Sequence, residues 1–61
     1  MPIPDRAFID AMVPHDEQAI EAARVVLDQN ERDELRRLAR DIVEAQTREV
    51  QRLQEWRAAW F

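Results

Sequence analysis

The run F-I-D-A-M-V-P-H-D-E-Q-A-I-E-A-A-R-V-V-L, Phe8 to Leu27, sets apolar side chains in two adjacent rows. One row is Phe8, Met12, position 15, Ala19, Ala22 and Val26. The other is Ile9, Val13, position 16, Ile20, Ala23 and Leu27. Steps of three and four residues are the signature of an amphipathic helix, and two such rows make a face broad enough for a bundle interior. Pro14 lies inside the pattern. It removes one backbone hydrogen bond and is expected to kink the helix, with a break into two shorter helices as the alternative.

Outward from this run, the pattern fails in D-Q-N-E-R-D, Asp28 to Asp33. Asn30 with Asp33 three residues on resembles a helix start. A second apolar stripe then follows through Leu35, Leu38, Ile42, Leu53, Trp56 and Trp60. With no Gly and only three Pro, all near the start, nothing else interrupts helix. The sequence predicts one domain over residues 1–61, with helices over about 5–29 and about 31–60. Asp5 is the expected N-cap of the first.

A short connection makes the helices antiparallel neighbours, an all-α hairpin. Each apolar face is wider than one partner helix can cover, so the hairpin is expected to complete a four-helix bundle. A homodimer or a second hairpin of a longer parent chain would supply the other half. Phe8, Ile20, Leu38, Ile42, Leu53, Trp56 and Trp60 are the expected interface residues. Trp56, Trp60 and Phe61 fall opposite Ile3 and Phe8 and read as apolar anchors rather than a ligand cage.

Composition narrows function. Without Cys there is no disulfide, thiolate metal site or Cys nucleophile. The net charge of −4 argues against a nucleic-acid surface, which needs a basic patch. No apolar run approaches the ~20 residues that span a bilayer. The opening M-P-I-P-D lacks the charged start and apolar middle of a signal peptide, which leaves the compartment open. There is no Ser/His/Asp set and no Gly-rich phosphate loop, so an enzyme is not expected.

Four polar residues interrupt the apolar rows: His15 and Asp16 on the first helix, Gln46 and Glu49 on the second. With the turn centred near Asn30 and Glu31, these four and Met12 fall at one level of the hairpin. Buried polar groups are costly unless paired. The layer is therefore expected to hold a metal ion, water, or a satisfied set of hydrogen bonds that fixes register and partner choice. The metal reading takes His15, Glu49, Met12 and Asp16 as ligands and Gln46 as a hydrogen-bond partner to them. The structural reading assigns the same residues to dimerisation alone. A di-metal oxidase is not expected, because its Glu-x-x-His motif is missing, Met12 standing three residues before the only His.

Two segments carry a family resemblance. F-I-D-A-M-V-P-H-D-E-Q-A-I-E-A-A, Phe8 to Ala23, is similar from Met12 onward to the pattern M-x-x-H-H-x-x-A-I-x-M-A of the bacterial domain-of-unknown-function family 305. E-L-R-R-L-A-R-D-I-V-E-A-Q-T-R-E-V-Q-R-L-Q-E-W, Glu34 to Trp56, resembles that family's E-L-R-x-L-A-x-x-I-x-x-x-Q-x-x-E-I-x-x-M-x-x-W. The resemblance implies a ferritin-like helical bundle in proteins commonly exported from the cytoplasm and associated with copper, held by His and Met. Met12, His15, Gln46 and Glu49 match the pattern. Asp16 replaces its second His, and Ala22 and Leu53 replace two Met residues. Those exchanges move the ligand set away from copper and towards zinc, iron or manganese, or towards a scaffold with no metal.

Overall fold

The computed structural model describes residues 4–61. The chain forms two helices, α1 (Asp5–Gln29) and α2 (Asp33–Trp60), joined by a tight connection. They pack against each other as an antiparallel hairpin, and no strand occurs among the described residues. The pair measures 42 × 23 × 14 Å, so its thinnest dimension is about that of one helix with its side chains. Ile3 lies outside the described residues.

α1 runs through Pro14 without a break, so the two-helix alternative for this segment does not hold. Pro14 is on the exposed side, where the Asp10 carbonyl that loses its partner can reach water. Asp5 is not a cap. Pro4 occupies the N-cap position without a side-chain hydrogen bond, and Asp5 instead places its charge in the first turn, favourable to the helix dipole. At the connection, the Asn30 side chain accepts from the Arg32 backbone N–H at 2.9 Å, a local Asx-type turn rather than a cap. α2 consequently begins at Asp33, after the expected start near residue 31.

Arg36 does what no cap residue does. Its guanidinium donates to the Leu27 carbonyl and, at 3.2 Å, to the Asn30 carbonyl. A cation thus meets the negative end of α1, which has no basic residue in its own last turn. At the other end of the hairpin Arg57 Nε donates to Asp10 Oδ1 at 2.6 Å, tying the last turns of α2 to the start of α1.

The interior is small. Ile9, Ala23, Ala39 and Leu53 are its buried apolar residues, with Asp16 the buried charged one. Ile9, Asp16 and Ala23 recur at a spacing of seven, as do Ala39, Gln46 and Leu53, so one seam of each helix faces the other. Alanine at positions 23 and 39 lets the helices approach closely at the turn end.

The two broad sides differ. One carries Phe8, Leu38, Trp56 and Trp60, which remain 47, 54, 40 and 55% exposed. Ile42 is half-buried beside Leu38 on that side. The other side is polar and carries the Arg36 and Arg57 contacts. Two expected interface residues therefore sit elsewhere. Leu53 is covered by the hairpin itself, at 4% exposure, because it falls on the central seam. Ile20 lines the polar side with Glu17, Glu21 and Arg24, being rotated past the seam.

Candidate functional site

The polar layer lies near the middle of the hairpin. α1 points Asp16 into the seam because that position repeats seven residues after Ile9 and seven before Ala23. The carboxylate is 2% exposed. Its Oδ2 is buried with no hydrogen-bond partner among the described residues, and so is Oε1 of Gln46 on the facing seam. An orphaned buried acceptor costs about 1–3 kcal/mol, more when it is charged. The hairpin alone therefore leaves this layer unfinished.

Glu49 reaches the layer from α2 one turn beyond Gln46, and its carboxyl stands within hydrogen-bonding distance of Asp16. That contact holds the Glu49 pKa above the ordinary glutamate range. The hydrogen bond to Asp16 is the largest cause, partial desolvation adds to it, and the like charge of Asp16 contributes further, with His15 opposing. Two ionised carboxylates have no donor between them, whereas a proton on Glu49 gives Asp16 one.

His15 stands at the rim. Its Nδ1 is 3.6 Å from Asp16 Oδ1, while its side chain is 73% exposed on the apolar broad side. Met12 is half-buried one turn earlier. The structure thus brings Asp16, Glu49 and His15 together, with Gln46 half-buried on the seam between the helices. Within one hairpin no group of three His, Cys, Asp or Glu side chains among the described residues is arranged to hold a metal ion. The donors that exist point to the seam and to the uncovered face, not to one enclosed centre.

Sequence reading gave the layer its members but not their depths. His15 and Asp16 interrupt adjacent rows and look equivalent, yet one is exposed and the other sealed. The signal that separates them is the spacing of seven through Ile9, Asp16 and Ala23, flanked by small residues. Arg36 was missed altogether, because a guanidinium reaching back nine residues to a helix end leaves no local motif.

The class of protein is an all-α hairpin of two amphipathic helices, with one uncovered apolar side and a polar layer at mid-length. The chain belongs to the family described as Domain of unknown function (DUF305), whose profile matches residues 5–61. No curated protein and no solved structure gives a match.

Among the described residues no helix is long and apolar enough to cross a membrane.

Proposed function

We propose that this hairpin is a non-catalytic metal-binding module whose site is completed when a second hairpin covers its apolar side. The observation that carries the reading is Asp16: a carboxylate 2% exposed, with an unpartnered oxygen, beneath His15 and Glu49. A buried anion without a donor calls for a proton or a cation. Two copies would bring two imidazoles and four carboxylates to one layer, with Met12 and the Gln46 carbonyl as further donors.

The donor set bears on the ion. Cu(I) favours thioether and imidazole, and each chain offers one His and one half-buried Met against two carboxylates. Zinc, iron(II) or manganese(II) suits such a set better. The bundle would be ferritin-like in architecture, as the family resemblance implies. A second reading takes the same layer as purely structural, closed by the proton on Glu49 and serving register and partner choice. The raised Glu49 pKa supports that alternative.

Calorimetric titration of chelator-treated protein with Zn(II), Mn(II), Fe(II), Cu(II) and Cu(I) separates the two. Stoichiometric binding that disappears in both Asp16→Asn and His15→Ala is expected. No heat with any ion, from protein shown to be assembled, would leave the structural reading.

A further inference from the structure

The uncovered face is not uniform along its length, and its two ends differ in a related way. At one end Phe8, Trp56 and Trp60 stand out, the two indoles stacked at 5.5 Å between centroids and 7° between planes. Towards the turn the face is a groove floored by Ala19, Ala22, Ala23 and Ala39 and walled by Leu38 and Ile42. Between them lie His15 and Glu49. Phe8 is seven residues before His15 and Ala22 seven after it. Trp56 is seven after Glu49 and Ile42 seven before; Trp60 is eleven after and Leu38 eleven before.

We propose that the occupant of this face is a second copy, related by a two-fold axis perpendicular to the helices that passes through the His15/Glu49 layer. Each copy then seats its aromatic end in the other's alanine-floored groove. Phe8 meets the partner's Ala22, Trp56 meets the partner's Ile42 and Trp60 meets the partner's Leu38. Large side chains meet small or aliphatic ones throughout, as close packing requires. The other two-fold, parallel to the helices, would stack both aromatic ends together and face alanine with alanine, crowding one end and leaving a void at the other.

Surface area supports a partner of this size. The hairpin exposes 5041 Å². A compact chain of its 7.3 kDa mass would expose only about 4,200 Å². The excess, roughly 800 Å², is what each partner buries in a standard protein interface. The opposite broad side is the more polar one, carrying the Arg57–Asp10 pair and the charged groups Glu17, Glu21 and Arg24 around half-buried Ile20 and Val50.

This arrangement rests on the proposed assembly but not on metal. The chain has no native Cys, so single spin labels can be placed at Glu34→Cys or Ala59→Cys, both exposed on α2. Glu34 is fifteen residues from Glu49 and Ala59 ten. At 1.5 Å per residue, pulsed electron-electron resonance should read about 45 Å between the Glu34 labels and about 30 Å between the Ala59 labels. Distances near 20 Å at both sites would overturn the crossed arrangement and show the parallel-axis dimer, leaving self-association intact. A monomer by light scattering at high micromolar concentration would overturn self-association itself.

Discussion

Replacing Asp16 by its neutral isostere should stabilise the hairpin, although it removes the most buried charged group of the protein. The Asp16 carboxylate is 2% exposed, its Oδ2 has no donor among the described residues, and the Glu49 carboxyl beside it has a raised pKa, chiefly through its hydrogen bond with Asp16. Asp16→Asn keeps the shape, removes the charge and supplies an N–H that Glu49 can accept. Relief of one unpartnered buried acceptor is worth about 1–3 kcal/mol. In a domain of this size each kcal/mol moves the melting temperature by about 4–8 °C, so a rise of roughly 4–20 °C is expected. The assay is thermal unfolding by circular dichroism at neutral pH with chelator present. Protein concentration is fixed, since self-association, as proposed, would make the midpoint concentration-dependent. A fall in melting temperature would refute the reasoning, because it would mean the carboxylate oxygen already has a partner without metal.

Three further outcomes are expected. Stability should follow pH in two limbs. The raised Glu49 pKa contributes stability that is present at or below the ordinary glutamate range and is lost as pH rises through the raised value. The Asp10 pKa is lowered, chiefly by the hydrogen bond from Arg57, so its contribution is present above the ordinary aspartate range and lost as pH falls through the lowered value. A urea midpoint measured across pH should therefore peak in mild acid in wild type, and the upper limb should flatten in Glu49→Gln. Arg36→Ala should destabilise by about 1–2 kcal/mol, read as a lower urea midpoint at unchanged slope, because two carbonyls at the α1 end lose a cationic donor. Leu38→Glu, at a position 54% exposed in the hairpin, should leave helicity intact by circular dichroism and shift the solution mass to that of one chain. Unchanged mass would show that Leu38 lies outside the assembly interface.

The hairpin was legible because its grammar is simple. Without Gly, and with Pro confined to the first fourteen residues, the apolar rows give out altogether between Asp28 and Asp33, and the structure turns there. Less legible was the rotation of each helix. Two adjacent rows of comparable hydrophobicity do not say which lies on the seam, and assigning Ile20 and Leu53 to the outer interface followed from that ambiguity. The deciding feature is steric. Alanine at positions 23 and 39 permits the closest approach, which draws the rows spaced by seven through Ile9 and Leu53 into the centre and turns Ile20 to the polar side. Arg36 and Arg57 make contacts that depend on the hairpin having already formed, and no local pattern announces either.

The unfinished polar layer and the uncovered apolar side are connected. An apolar side alone would drive association with little preference for register, since sliding one hairpin past another by a turn costs mainly packing. On the proposed reading a buried Asp16 adds a strong constraint, because only one alignment brings an ion shared with the second copy to an oxygen that otherwise has no partner. The proposed two-fold arrangement acts in the same direction, for the spacing that would seat Trp56 against the second copy's Ile42 would also carry Glu49 and His15 to the axis. Asp16 is in that case destabilising in the lone hairpin and specifying in the assembly. On the proposed reading, its substitution should therefore raise the melting temperature while weakening both the proposed ion binding and the choice of alignment.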